Sequence, residues 1–208
     1  MYLEFVALVL CVIGGQFVSP EKAVPTKNKD VWETMQRSDV FFLLRRTYRW
    51  SKDRSVCSYT RILERNEEDK TLLTLGGNYN NGTTDYNNHK IYVTTRKGKK
   101  GERNHMMLSV VGYGGPAFEY KMIFDDGGGC SVLNITRITQ PDVPKEWIGQ
   151  CELWATKEVA LSINVQSSCE VTYFQKCNPD IDIEDTPYVT NCKDPPTDTE
   201  SEASSPEC

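Results

Sequence analysis

The chain has 208 residues, a formal net charge of −5 and eight cysteines. The acidic balance is spread over both halves, so the basic footprint of a nucleic-acid binder is missing. Beyond the first residues no stretch is long and apolar enough for a membrane helix, and the length suits one domain with a real core and short appendages.

Residues 1–15 read as a secretory signal peptide. The apolar run Phe5–Ile13 is too short to span a bilayer and is followed by Gly14 and Gly15, although Glu4 stands where a basic residue is usual. Cleavage removes Cys11 and leaves Cys57, Cys130, Cys151, Cys169, Cys177 and Cys192, with Cys208 as the last residue. An even set of six in a secreted chain reads as a disulfide framework and places the protein outside the cell.

Asp30-Val-Trp-Glu-Thr-Met35 predicts a short helix with Asp30 as N-cap. Eight short apolar or alternating runs follow, at Val40–Tyr48, Cys57–Glu64, Thr71–Leu75, Lys90–Thr95, Met106–Val111, Phe118–Phe124, Cys130–Ile138 and Cys151–Thr156. Turn clusters separate them, among them Asn-Asn-Gly82 and Asp125-Asp-Gly-Gly-Gly129. This even spacing predicts an all-β fold, an antiparallel sandwich or an up-and-down barrel rather than βαβ units.

Ser167-Ser-Cys-Glu170 has capping-box spacing and predicts a helix running to Cys177, with Cys169, Tyr173 and Cys177 on one face. Cys169 and Cys177 would lie about 12 Å apart along its axis, too far for one disulfide, so each must pair elsewhere. Cys130 and Cys151 on the last two strands are natural anchors, and Cys57 is then left for Cys192. Which strand cysteine joins which helix cysteine stays open. Residues 27–193 are the expected barrel domain, and the acidic, proline-rich residues 194–208 are an expected disordered tail. Cys208 at its tip permits a monomer with a capped thiol or a disulfide-linked dimer. Asn81-Gly-Thr83 and Asn134-Ile-Thr136 are candidate glycosylation sites, the second only if Asn134 points outward from its strand.

No catalytic constellation can be assembled, so the chain is expected to be no enzyme and to need no cofactor or metal. His89 and His105 lie in polar stretches, the cysteines lack paired C-x-x-C spacing, and no Gly-x-Ser-x-Gly elbow occurs. Gly112-Tyr-Gly-Gly-Pro-Ala117 reads as a turn, and the basic cluster Arg96–Arg103 as a hairpin tip. What remains is binding chemistry. A small barrel can enclose one ligand, and Phe41, Phe42, Tyr48, Tyr59, Tyr92, Phe118, Tyr120 and Trp154 are strand aromatics that could line it. Glu152, beside Leu153 and Trp154, is the candidate acid: a carboxylate facing inward among aromatics calls for a cation.

From Asp30 to Cys192 the chain resembles the tick salivary lipocalins, the group that includes the histamine-binding proteins. The resemblance rests on Asp30-x-Trp32, the strand Val40–Tyr48 and Cys57 followed by Asn66-Glu-Glu-Asp-Lys70. It continues in Cys130-Ser-Val132, Cys151-Glu-Leu-Trp154, Cys169 and Tyr188-Val-Thr-Asn-Cys192. It implies an eight-stranded antiparallel lipocalin barrel with a short N-terminal helix and a C-terminal helix packed alongside. It also implies the pairs Cys57–Cys192 and Cys130–Cys169, which leaves Cys151–Cys177. The implied role is secretion into the bite to sequester a small host mediator, a histamine- or serotonin-type amine or a lipid, and so suppress inflammation and immune defence. Glu152, Tyr48, Trp154, Phe41 and Tyr120 are the candidate ligand-binding residues. Ser131 replaces the aspartate of the amine-binding motif. Lys121, Val111 and Glu119 fall near pocket positions that hold other residue types in that group, and His89 near an expected acid. This altered motif, with the basic loop 96–103, supports an alternative: an inhibitor of host complement or other immune proteins acting through surface loops. No nucleic acid or membrane partner is expected.

Overall fold

A computed structural model describes residues 30–36, 40–49, 56–79, 83–112, 115, 117–162, 167–180 and 182–197. The expected signal peptide with Cys11, the sequon Asn81, Cys208 and the tail beyond residue 197 lie outside the described residues. Eight strands run in chain order: β1 (Val40–Arg46), β2 (Tyr59–Asn66), β3 (Thr71–Tyr79), β4 (Tyr86–Arg96), β5 (His105–Val110), β6 (Phe118–Asp125), β7 (Cys130–Ile138) and β8 (Cys151–Ala155). Each pairs antiparallel with the next and β8 returns to β1, so the sheet closes into a barrel with no free edge. The hairpin β3–β4 is longer than the apolar pattern predicts. Asn78 pairs with Asn87 and Gly77 with Asn88 in the ladder, so poor strand formers are recruited by their neighbours' hydrogen bonds. Gly77 is required there, because a Cβ would sit 2.6 Å from the Asn87 carbonyl oxygen.

Helix α1 (Val31–Met35) is capped as its sequence requires: an Asp30 carboxylate oxygen accepts from the Trp32 amide at 2.9 Å. It shuts the barrel end formed by the β2–β3, β4–β5 and β6–β7 turns. There the Val31 amide donates to the Arg103 carbonyl at 2.8 Å, and Thr34 Oγ1 donates to buried Asp125 at 3.0 Å. Lys70 Nζ lies 4.9 Å from the centre of the Trp32 ring.

Two short elements are not foreshadowed by periodicity, being too brief to repeat a pattern: the 3-10 turn Lys145–Trp147 and helix α2 (Lys157–Ser162). Helix α3 (Ser168–Cys177) begins at Ser167, whose side chain accepts from the Glu170 amide at 3.2 Å. Glu170 does not act as a capping-box partner. Its side chain leaves the helix end and accepts from Arg45 Nε at 2.9 Å, because Arg45 projects from the outer barrel wall that α3 covers.

Apolar residues divide into two clusters. Phe42, Leu44, Phe124, Val132 and Leu153 pack outside the barrel against Cys169 and Tyr173 of α3. Trp32, Ile62, Leu72, Val93, Met122 and Leu133 face the interior. The disulfides are Cys57–Cys192, Cys130–Cys169 and Cys151–Cys177, the pairing the family resemblance implies. Two bonds staple α3 to β7 and β8, and the third ties the C-terminal segment to the start of β2. Asp194 and Pro195, within the expected tail, lie beside the barrel: Asp194 accepts from Lys157 Nζ at 2.5 Å and Pro195 is buried. Among the described residues no helix is long and apolar enough to cross a membrane.

Candidate functional site

The pairing of β1 with β8 shifts register between Leu43 and Arg45. A strand that alternates strictly from Phe41 and Leu43 would next turn Arg45 inward. The bulge inserts one residue, so Arg46 and Tyr48 line the interior instead while Arg45 faces α3. Phe41 and Tyr48 share one cavity only because of this irregularity.

Glu152 lies on β8 opposite Leu133 of β7 and Arg46 of β1. Its side chain points inward and the residue is 3 % exposed. One carboxylate oxygen accepts from the hydroxyl of Tyr48 and from that of Tyr120 at 3.1 Å; the other accepts from Trp154 Nε1 at 2.7 Å. These donors come from the end of β1, from β6 and from β8 itself. Burial, and next the charge of Glu152, push both phenols well above their usual value near 10, so they remain hydrogen-bond donors. The Tyr48 ring packs on Trp147 at a centroid distance of 4.5 Å. On its other flank the Arg46 guanidinium carbon lies 5.4 Å from the ring centre, and Arg46 is itself fixed by two bonds to Asp185, at 2.9 and 2.5 Å.

These groups border a cavity of about 530 Å³ inside the barrel. Its walls are mostly apolar, with Phe41, Leu43, Val93, Leu108 and Met122 among them, and Thr34 and Met35 of α1 form its floor. All five candidate ligand-binding residues, Glu152, Tyr48, Trp154, Phe41 and Tyr120, lie on its lining. Ser131 pairs with Trp154 across β7–β8 and faces the same space, so the position of the missing aspartate is inside the cavity. His89 lines the mouth and is largely exposed.

Three of the suspected pocket positions are not on the lining. Tyr120 points inward, so its neighbours Glu119 and Lys121 point outward: Glu119 pairs with Arg96, and Lys121 is exposed. Val111 lies beyond the end of β5 and is 45 % exposed. Among the strand aromatics Phe42 packs edge-on against Tyr188 outside the barrel, and Tyr92 is exposed. Tyr59 donates to Asn88 Oδ1 at 2.7 Å and packs on Tyr86. Asn134 is half-buried and its side-chain nitrogen donates to the Gly149 carbonyl at 2.6 Å. Sequence reasoning did not select Arg46 as lining, because the bulge hides it, and reached Ser131 only as the position where the aspartate of the amine-binding motif is replaced. Among the described residues one group of metal-ligand types converges, Asp126 with Cys130 and Cys169, and its cysteines are joined to each other.

A closed eight-stranded antiparallel barrel with a helix across one end, another stapled to its side and a ligand-sized cavity within defines a lipocalin-type binding protein. The chain belongs to the tick histamine-binding protein family, whose family model matches residues 20–194. The fold is similar to Japanin from Rhipicephalus appendiculatus bound to cholesterol, with a TM-score of 0.50 and 14% identity over 74% of this chain and 95% of that one. It is also similar to the major allergen Per a 4 from cockroaches, with a TM-score of 0.50 and 13% identity over 77% and 88% of the two chains. No curated protein sequence matches the chain.

Proposed function

We propose that this protein is a secreted salivary scavenger that holds a histamine- or serotonin-type amine in its barrel and so blunts host inflammation and immune defence. The observation that carries the reading is Glu152: a carboxylate 3 % exposed, on the cavity wall, bonded to three neutral donors. A buried charge without a cationic partner is costly, and an ammonium ligand supplies the missing charge. The three donors leave room on the carboxylate for one further hydrogen bond. Tyr48, Trp154, Phe41 and Tyr120 would then clasp the ligand's ring, with cation–π attraction adding to the ion pair.

The apolar majority of the lining favours a second reading, a lipid mediator whose chain fills the barrel. Isothermal titration calorimetry with histamine, serotonin, a leukotriene and a fatty acid separates the two. The amine reading predicts binding at micromolar concentration or tighter by an amine; heat from the lipids alone would replace it with the second, and silence across the panel would remove both.

A further inference from the structure

A second recess, of about 540 Å³, lies outside the barrel against the outer face of β1 and β2. Its floor is apolar: half-buried Val40, with fully buried Phe42 beneath it. One wall is the bare backbone of the turn Gly127–Gly129, and the others are Thr156–Glu158 at the start of α2 and Asp194–Pro195 of the C-terminal segment. The disulfide Cys57–Cys192 holds that last segment in place.

Arg61 of β2 faces this recess, on the same outward side of the strand as Tyr59. Its Nε is shielded from solvent and bonds to nothing among the described residues. Two other outward guanidiniums on the barrel are matched, Arg45 by Glu170 and Glu184 and Arg96 by Glu119. A guanidinium left with a desolvated, unmatched N–H is costly, and such an atom in a folded protein calls for a ligand, ion or water. A second cation, Lys157, stands in the same recess. Its partner Asp194 has a side chain 75% exposed, so this counter-ion exchanges readily with an incoming anion. Glu158, the remaining acid there, is exposed.

We infer that this recess is a binding site for a small organic anion, with the oxyanion head on Arg61, aided by Lys157, and an apolar body on Val40. The planar fork of Arg61 suits a carboxylate, sulfate or phosphate oxygen pair. The glycine turn has no side chains to obstruct a flat ligand. This site is separate from the barrel cavity and takes the opposite charge.

The test is a backbone-amide NMR titration of the full chain with 3-phenylpropionate, run beside its uncharged analogue 3-phenylpropionamide. The carboxylate should move the amides of Arg61, Gly127–Gly129 and Thr156, while the carboxamide binds at least about tenfold more weakly. Arg61→Gln should abolish the shifts, and Glu152→Gln should leave them intact. Equal binding of acid and amide, shifts confined to the barrel cavity, or unchanged shifts in Arg61→Gln would each overturn the assignment. The acid–amide comparison uses the unmodified protein, so it decides the matter even if Arg61→Gln fails to fold.

Discussion

Replacing Glu152 by glutamine keeps the shape of the side chain and removes one negative charge from the cavity wall. An ammonium placed about 4 Å from that charge gains about 4 kcal/mol at an effective dielectric near 20, against about 1 kcal/mol in water. The difference, roughly 3 kcal/mol, corresponds to about a hundredfold in Kd. The amide oxygen can still accept from Tyr48 and Tyr120, but its nitrogen then meets the Trp154 indole N–H, which bonds to the present carboxylate at 2.7 Å. Leaving that donor unmatched costs about 1–3 kcal/mol in the free protein, partly offset by no longer burying a charge. Thermal unfolding should therefore show a modest loss of stability, and calorimetry with histamine and serotonin a large loss of affinity. A neutral apolar ligand of the same cavity should be unaffected. An amine affinity that falls by less than about threefold, in a variant that stays folded, would refute the counter-charge argument.

Three further outcomes follow from the geometry. Because burial and Glu152 raise the folded-state values of Tyr48 and Tyr120 above 10, the unfolded chain releases these protons first. The associated stability is complete below pH 10 and declines as pH rises above it; denaturant melts between pH 9 and 11 that show no alkaline loss would contradict this. Replacing Cys57 and Cys192 together by alanine opens a link spanning 135 residues and should cost about 2–5 kcal/mol, read as a lower denaturation midpoint. Asp30→Ala removes the cap of α1 and should cost about 1 kcal/mol, with faster hydrogen exchange confined to residues 31–36; uniform protection would show that α1 is held by its Thr34 and Trp32 contacts instead.

Much of the scaffold follows from local chemistry. Strand-length apolar runs separated by glycine and asparagine turns impose eight antiparallel strands, Asp30 and Ser167 mark helix starts through their own side chains, and helix geometry alone forbids a Cys169–Cys177 bond. Glu152 was legible as a candidate because an acid inside an otherwise apolar strand is conspicuous. The environment of Glu152 was not. Tyr48, Tyr120 and Trp154 are distant from one another in sequence yet meet on one carboxylate, and the meeting depends on a bulge near Leu44 that no residue pattern announces. The same irregularity sends Arg45 outward to Glu170 and Arg46 inward beside Tyr48, reversing what alternation predicts. Outside the barrel, Arg61 looks like any surface arginine until the C-terminal segment and the glycine turn close around it. Local sequence determines which segments become strands and caps because those preferences act over a few residues. Which side chains face each other was decided only when the sheet closed, since closure sets the register of every strand against its neighbours.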